Sequence, residues 1–522
     1  MSDSTDTGIT VGEMPAEDQS IPTDPDTTAA FIGRALCGPV NHPVAVSSFS
    51  EFSRRFGGHW RLSSLGPAVE QFFAHGGRRA IVVRVANGAR GARLTLPAGD
   101  TGLTLAALSP GAGETFRASV DYDGIDGRPG TDGSRFNLTV QRLSPRTRLI
   151  DDQEIFRGLS CAEGAESNVR DRLLTSRLVR VAGPLPERRP DATRSGGADR
   201  VVSYVPADEA GTDGQPLSDY DLIGSARDYT GLFALEGAAH FSFLYAPPMG
   251  GGRDPGPAFL MAAERYCQRR GAMLIVDPPA SCRSFAELDL ALRRDGFRSP
   301  HLVTYFPRMT DRRHPDDGLV PAGGALAGIL ARNDESGHVW KSPATGSAFL
   351  RDLRPALELD DAQAAALHRH GVQTLRRGAD RRVRPTGDVT FTGSVFGGAR
   401  RLGTERLIQF VLHRVERSTR WVLFRHSERA LWHAIERRVG DFMQALEADG
   451  AFAGRGGAAW FVRCNSSTNT AAQQGRPSVG LIIGFRPVGE TEMLVWSLVQ
   501  EPAGARISPA AFAGAGASAA AG

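Results

Sequence analysis

Lysine is almost missing from this chain of 522 residues: Lys341 is the only one, and the other 60 basic residues are arginine. A GC-rich genome is enough to produce this bias, although the rigid guanidinium fork of arginine also suits ion pairs between proteins. A large charge of one sign is missing too, because 61 basic residues face 58 acidic ones and leave a net charge of +3. This balance does not indicate a nucleic-acid-binding surface.

Long apolar runs are also missing. No stretch approaches the roughly 18 uninterrupted apolar residues of a membrane helix, and the acidic N-terminus lacks the pattern of a signal peptide. The five cysteines are scattered and never spaced as CxxC, which argues against a disulfide framework and against a zinc site. Hydrophobic residues nevertheless make up 41% of the chain, enough for several folded domains. We expect a soluble protein that is made, and at first kept, inside a cell.

The usual motifs of enzymes are missing as well. The only lysine follows Trp340 rather than glycine, so there is no Walker loop, and HExxH and GxSxG do not occur. Asp277 follows a predicted strand, where an α/β enzyme places a catalytic carboxylate, but the two prolines after it favour a turn. His368 and His370 lie in a predicted helix without a third ligand, and the acidic string 121–127 predicts a hairpin rather than a calcium loop. We predict no catalytic residue, no metal site and no cofactor.

What is present is a mixed α/β pattern. Residues 29–87 alternate strand, helix and strand, which is typical of a parallel unit. Residues 88–205 contain short alternating runs separated by turn residues, and they predict an inserted antiparallel β domain. Residues 215–385 contain strands that stop at prolines, which predicts a central doubly wound α/β domain with its loops at the carboxyl ends.

The two ends of the chain differ from this middle part. Residues 386–500 predict an amphipathic helix from Ser427 to Ala448, followed by strands of which the last is near residues 493–500. Residues 1–28 hold seven acidic residues and no basic one, and predict an arm that is mobile in isolation. Within it, residues 9–11 are β-prone, and no neighbouring segment could pair with them. They are therefore either a chance pattern or a strand that pairs with another chain. Residues 501–522 predict a disordered Ala/Gly-rich tail.

Short strings along residues 28–500 occur together in one order. They include Thr28–Ala35, Gly76–Val85, Thr230–Glu236, Val320–Gly328, Val339–Ala344, Thr419–Phe424 and Phe461–Cys464. Each string alone is weak, but about a dozen in this order resemble the contractile tail sheath family of myophage-type tails, R-type pyocins and contractile injection systems. The sequence departs from the family at Ala322-Gly323, where proline and serine are usual, and at 489–492, where a Lys-Pro pair is common.

The resemblance implies a fold and a function. The fold is a multidomain α/β protein with an inner α/β domain built from both chain ends, a central doubly wound domain, an inserted β domain and extended terminal arms. The function is that of a structural subunit, not an enzyme. It polymerises as stacked hexameric rings around an inner tube and contracts by rigid-body repacking, which drives the tube through a target envelope. The alternatives are a hydrolase on the central domain and a static coat that never shortens.

The resemblance also implies site residues and partners. The inner-tube contact falls on Arg429, Arg437 and Arg438 of the predicted helix. Strands exchanged between subunits fall on both ends of the chain: Ile9, Thr10, Val11, Met493, Leu494, Val495, Trp496, Ser497, Leu498 and Val499. The partners are further copies of the chain, the tube protein, the baseplate and a terminator or cap, with no nucleic acid and no direct membrane insertion. Assembly is expected in the bacterial cytoplasm, and the product is a phage tail or a released or anchored injection particle.

Overall fold

A computed structural model describes residues 20–125, 134–193, 203–250, 252–294, 297–313, 318–336, 338–345, 349–392, 400–425, 427–469, 478–502 and 504–510. These residues form two compact units. The larger unit takes the described residues between Thr27 and Gly337 and between Ser342 and Arg400. The smaller unit takes those up to Asp26, the segment His338–Lys341, and those from Arg401 onward. Over these ranges, no helix has both the length and the apolar character needed to span a bilayer.

The larger unit contains most of the strands and helices. Its strands are β1 (Ala29–Gly33), β2 (Val44–Val46), β3 (Ala80–Arg84), β4 (Gly91–Ala98), β5 (Thr101–Pro110), β6 (Thr115–Asp121), β7 (Arg135–Leu143), β8 (Ile150–Ser160), β9 (Val179–Val181), β10 (Val205–Pro206), β11 (Phe243–Tyr245), β12 (Met273–Val276), β13 (Leu302–Phe306), β14 (Met309–Asp311), β15 (Leu319–Val320), β16 (Leu353–Pro355), β17 (Gln373–Arg377) and β18 (Val383–Thr386). Its helices are α1 (Phe49–Phe56), α2 (Leu65–Ala74), α3 (Val169–Arg172), α4 (Asp219–Ile223), α5 (Pro257–Arg270), α6 (Phe285–Arg294), α7 (Gly323–Ser336) and α8 (Asp361–Arg369).

Eight strands of the larger unit form one sheet in the order β18-β17-β13-β12-β11-β1-β3-β2. Its inner pairs are parallel, and only the two edge strands β18 and β2 run antiparallel. Helices cover parallel strands on both faces, so such strands read as continuous apolar runs. The strands β1, β3 and β13 are buried at every position for this reason. A mixed α/β fold, as predicted, is therefore present.

One expectation about the architecture is wrong. The strand β1 pairs with β3 on one side and with β11 on the other, so that Ala30 lies between Ile81 and Leu244. Residues 29–87 therefore share a sheet with the central segment, and do not join the C-terminal segment in one inner domain. Both edges of β1 are occupied, and the C-terminal strands form a sheet of their own. The apolar pattern marks strands, but it carries no information on which distant strand becomes the neighbour.

The strands β4 to β10 form two antiparallel sheets, β4-β5-β9 and β10-β6-β7-β8. The strand β4 alternates between buried and exposed positions, as expected for a strand with one face in a core. Leu94 and Leu103 from the first sheet and Phe116 and Phe136 from the second belong to one buried cluster. The two sheets therefore share a hydrophobic core. A small third sheet, β15-β14-β16, lies elsewhere in the larger unit.

The smaller unit packs two helices on an antiparallel sheet. Its elements are α9 (Leu402–Ser418), α10 (Arg429–Ala448), β19 (Trp460–Arg463), β20 (Val479–Phe485), β21 (Leu494–Gln500) and β22 (Arg506–Pro509), and the sheet order is β19-β20-β21-β22. The helix α10 is amphipathic, as predicted, and its buried stripe runs from Leu431 through Ile435 and Val439 to Leu446. These side chains share a core with α9 and with the inner face of the sheet.

Candidate functional site

The helix α10 presents the arginines that were predicted to contact an inner tube. Arg429 and Arg437 lie on its exposed face, opposite the buried stripe. The helix is held near both ends by indole groups. The Trp432 Nε1 donates to the Ser427 Oγ at 3.0 Å, before the first turn, and the Trp460 Nε1 donates to the Glu447 carboxylate at 2.7 Å in the last turn. The guanidinium groups of Arg429 and Arg437 therefore project from a helix that is held by packing and by hydrogen bonds.

Arg438 differs from the other two. Its guanidinium carbon lies 5.9 Å from the centre of the Trp421 ring, and the side chain is half-buried. Burial lowers the pKa of Arg438 from its ordinary value. A guanidinium over an indole face is a cation–π contact that stabilises the fold. The structure therefore places Arg438 against the neighbouring Trp421, while Arg429 and Arg437 project from the helix.

The C-terminal strand predicted for exchange is an inner strand of the sheet in the single chain. The strand β21 pairs antiparallel with β20 over seven residue pairs and with β22 on its other edge. Leu498 at its centre is fully buried. At its end, the Gln500 Nε2 donates to the Glu416 carbonyl at 2.6 Å and to the Thr419 Oγ1 at 2.9 Å. The strand is thus tied to the sheet and to α9, and Met493 directly precedes it.

The N-terminal residues predicted for exchange, Ile9, Thr10 and Val11, lie outside the described part of the chain. The segment that starts at residue 20 is part of the smaller unit. Ile21 is 5% exposed and belongs to its core. The Arg414 Nη2 donates to the Asp24 carbonyl at 2.6 Å. The arm therefore starts from a fixed point, and sequence reasoning missed this anchor because one isoleucine in a polar run carries little signal.

A second segment is also anchored in the core of the smaller unit, and this was not predicted from the sequence. The segment His338–Lys341, here called the Trp340 strap, belongs to the smaller unit although the chain on both sides of it belongs to the larger unit. Trp340 is 7% exposed and lies in the smaller unit's core, and the His338 ring stacks on it at 4.4 Å. Gly403 faces its carbonyl so closely that a Cβ there would lie 2.3 Å from the oxygen. The only sign of this anchor in the sequence is the apolar pair Val339-Trp340 within a polar run.

Asp277, the only carboxylate considered for catalysis, is engaged in capping a helix. Its Oδ1 accepts the backbone N–H groups of Ala322 and Gly323 at 3.1 and 3.0 Å, at the start of α7. Its Oδ2 accepts the Tyr245 hydroxyl. Removal from water raises the pKa of Asp277, and the positive charge of Arg308 opposes this shift. A turn in the Asp-Pro-Pro string was predicted to engage this side chain. Its oxygens instead accept hydrogen bonds from β11 and from the start of α7.

Metal-ligating and thiol groups are dispersed. Among the residues with described coordinates, no group of three or more histidine, cysteine or acidic side chains is placed to hold a metal ion. The His368 Nε2 lies 3.2 Å from the Thr374 Oγ1, and the His370 Nε2 lies 3.5 Å from an Asp289 carboxylate oxygen. The five cysteines are all buried and unpaired with one another.

Comparison with known proteins identifies the fold. No family model matches the sequence, and no curated protein matches it. Among solved structures, a sheath tail protein from Listeria innocua is similar with a TM-score of 0.60 and 14% identity, covering 93% of this chain and 97% of that chain. This chain has the fold of a sheath tail protein. The resemblance predicted from the short strings is therefore confirmed at the level of the fold.

Two further structures extend the similarity of the sheath fold. A sheath tail protein from Desulfitobacterium hafniense has a TM-score of 0.53 and 13% identity, over 95% of this chain and 99% of that one. The sheath complex of an extracellular contractile injection system, PVC, in its contracted state, has a TM-score of 0.54 and 12% identity, over 94% and 95%. Each match spans nearly the whole of both chains, so the sheath fold extends over nearly the whole sequence.

Proposed function

We propose that this chain is the structural subunit of a contractile sheath and acts without an enzymatic step. The observation that carries the proposal is the similarity over nearly the whole chain to sheath proteins. Two of these are described in the contracted state, the PVC sheath complex and the helical sheath of the anti-feeding prophage. The helix-capping role of Asp277 leaves the alternative of a hydrolase without a proposed nucleophile or base.

In this proposal the subunits form six-membered rings that stack helically around an inner tube. Contraction is a rigid-body repacking of subunits, from a less buried to a more buried lattice, so that no nucleotide is needed. Two compact units, each with its own core, suit such motion because their interiors can stay intact while surfaces change partners. The work then comes from surface burial between copies.

The subunits are linked by exchanged strands. In the single chain β21 forms its ladder with the chain's own β20. We propose that in the assembly the same ladder forms between neighbouring copies, and that residues 486–493 between the two strands act as the hinge. This is the logic of domain swapping, in which the contacts are kept and only the chain that supplies them changes. Residues 9–11 supply the second exchanged strand.

The energetics favour exchange only in a lattice. Ordering an arm costs about 1–2 kcal/mol per residue, while each backbone hydrogen bond returns only about 0.5–1.5 kcal/mol. A β-prone run of three residues therefore binds weakly by itself. In a ring held by other contacts, the attachment becomes nearly intramolecular, and its effective concentration rises accordingly. The arm should thus bind neighbours in polymers and remain unbound in monomers.

The remaining surfaces are assigned to other components. Arg429, Arg437 and Arg438 on α10 are proposed to face the tube, with the first two in direct contact. Baseplates of the anti-feeding prophage are among the structures with a similar chain, which supports a baseplate and, by the same logic, a terminator or cap as partners. Assembly is proposed to take place in the bacterial cytoplasm, and the product is part of a phage tail or of a released or anchored injection particle.

The proposal is tested by imaging the assembled protein. Coexpression with its tube protein should give hollow cylinders in negative-stain micrographs, in two populations that differ in length and diameter. Cylinders of one fixed diameter under all conditions, including mild denaturant, would identify a static coat and contradict contraction. An Asp277→Asn variant that assembles and shortens like the wild type would leave the hydrolase alternative without support.

The arm is tested separately from the fold. Deletion of residues 1–19 should leave a folded monomer and abolish long polymers, as measured by sedimentation velocity. A sharper variant keeps the length and changes the strand: Ile9→Asp with Val11→Asp. The matched control, Thr5→Asp with Thr7→Asp, adds the same two charges outside the predicted strand and should polymerise normally. Normal polymers from the first variant would refute strand donation by residues 9–11.

A further inference from the structure

A cavity of about 160 Å³ lies in the larger unit, along β12 and β13 and beneath α5 and α6, and it reaches the carboxyl ends of β11 and β12. Its walls are mainly apolar and include Phe259 of α5, Leu292 of α6 and Phe391. The carboxyl ends of parallel strands are where doubly wound sheets commonly bind ligands. An apolar cavity of about 150 Å³ in another protein stays dry and takes up a molecule the size of benzene. The dimensions here therefore suit a ligand with a single ring.

One polar side chain in this wall lacks a partner. Thr304 lies on β13 between Leu302 and Phe306, and by strand alternation all three point to the same face of the sheet. Thr304 is 6% exposed and lines the cavity. No hydrogen bond joins its hydroxyl to another residue within the described ranges. Because a buried hydroxyl without a partner costs free energy, this position favours a ligand that can hydrogen-bond to it.

The charged groups at the end of the cavity are already satisfied. Both oxygens of Asp277 accept hydrogen bonds. Asp254, which also lines the cavity, forms an ion pair with Arg308 and accepts the Ala280 backbone N–H at 2.8 Å. A charged ligand would therefore enter an apolar space without a counter-ion, which is strongly unfavourable. The geometry selects a neutral molecule.

We propose that this cavity is a binding site for a small neutral molecule that has one ring, or a branched aliphatic body of similar size, and one hydroxyl or carbonyl group held by Thr304. The site is independent of the proposed sheath function, since it lies within the larger unit and needs no second copy. A bound molecule stabilises the folded larger unit by mass action. The site thus gives a soluble metabolite a way to change the stability of this unit.

The test uses the full-length protein and two probes, fluorobenzene and 4-fluorophenol, which differ by one hydroxyl. Dissociation constants are measured by ¹⁹F NMR titration. The wild type should bind 4-fluorophenol about three- to tenfold more tightly than fluorobenzene, the range expected for one hydrogen bond. Thr304→Val removes the hydroxyl at nearly constant volume. This variant should bind fluorobenzene as the wild type does and should lose the preference for 4-fluorophenol.

Two controls complete the test. Leu292→Phe fills the cavity and should abolish binding of both probes, with a cooperative thermal transition showing that the variant folds. Thr95→Val, at an exposed position of β4, should leave both dissociation constants unchanged. Absence of binding to the wild type would overturn the site, and an unchanged preference in Thr304→Val would overturn the role of Thr304. If Leu292→Phe does not fold, the comparison of Thr304→Val with Thr95→Val decides alone.

Discussion

A single half-buried carboxylate that follows β12, Asp277, caps the start of α7. Asp277→Ala leaves the N–H groups of Ala322 and Gly323 and the Tyr245 hydroxyl without their acceptor. Each unsatisfied buried group costs about 1–3 kcal/mol, and loss of a helix cap costs about 0.5–2 kcal/mol. We expect Asp277→Ala to lower the free energy of unfolding by about 3 kcal/mol, measured by urea denaturation of the monomer.

The conservative variant separates hydrogen bonding from charge. Asp277→Asn keeps an oxygen for the two N–H groups and an amide that can donate to the Tyr245 oxygen, so its loss should be about 1 kcal/mol. Tyr245→Phe removes only the hydroxyl and should cost a similar amount. A loss in Asp277→Ala no larger than that in Tyr245→Phe would contradict the capping role.

His301 predicts a pH dependence of stability. Burial, reinforced by the charge of Arg400, lowers the pKa of His301 from 6.5 to about 4. Between these values the unfolded chain binds a proton that the folded chain does not, so stability is full above pH 6.5 and falls as the pH drops toward 4. A shift of this size corresponds to about 3 kcal/mol. His301→Gln should flatten this part of the curve in urea denaturation between pH 4 and 7, and an unchanged slope would contradict the assignment.

At this scale the sequence located residues more reliably than it described their roles. Asp277 was predicted at the end of a strand, where it is, but its partners Ala322 and Gly323 come from a segment some forty positions away that the local pattern does not connect to it. Likewise, Arg437 and Arg438 are equivalent as neighbours in sequence. Only packing reveals that the second lies over Trp421.

At the scale of elements, the Trp340 strap is tested through a glycine of α9. Gly403 is helical, and a Cβ there would lie 2.3 Å from the Trp340 carbonyl oxygen. Alanine normally stabilises a helix interior by about 1 kcal/mol relative to glycine. Here the strap must move away, and overpacking of this kind costs about 1–3 kcal/mol. Gly403→Ala should therefore lower the free energy of unfolding of the smaller unit despite its better helix propensity.

The matched control lies on the other helix of the same unit. Gly440 in α10 has space, since a Cβ there would come no closer than 3.8 Å to the Trp460 ring. Gly440→Ala should accordingly raise stability by up to about 1 kcal/mol. Hydrogen exchange of the amides around Trp340 should increase in Gly403→Ala and remain unchanged in Gly440→Ala. A stabilised Gly403→Ala variant would show that the strap does not pack tightly on α9.

The elements themselves were largely predictable, and their pairing was not. The helix expected from Ser427 to Ala448 spans Arg429–Ala448, because an apolar stripe of seven residues is a strong local signal. The neighbours of β1 are β3, which follows two helices later in the chain, and the distant β11. The strands β4 to β10 lie between β3 and β11 in sequence. Strand pairing across such an insert depends on tertiary packing, which no local periodicity encodes.

At the scale of the whole molecule, the fold and the proposed contact surfaces differ in how strongly the sequence marks them. The fold was predictable because many short strings, weak one by one, occurred in one order. The surfaces proposed to contact further copies and a tube carry no comparable pattern, since an exposed arginine such as Arg437 resembles any solvated charge. The structure does distinguish the arginines of α10, because Arg437 is exposed whereas Arg438 packs against Trp421.

This separation predicts opposite phenotypes for two adjacent arginines of α10. Arg437→Glu changes an exposed charge, so the thermal midpoint should stay within about 1 °C. Cosedimentation with the tube protein should weaken by about tenfold, because the proposed contact of Arg437 with the tube is lost. Arg438→Ala removes the contact with Trp421 and should cost about 1 kcal/mol of stability, with tube binding retained. The reverse pattern would place Arg438 at the tube and Arg437 in solvent, and would require α10 to turn about its axis on assembly.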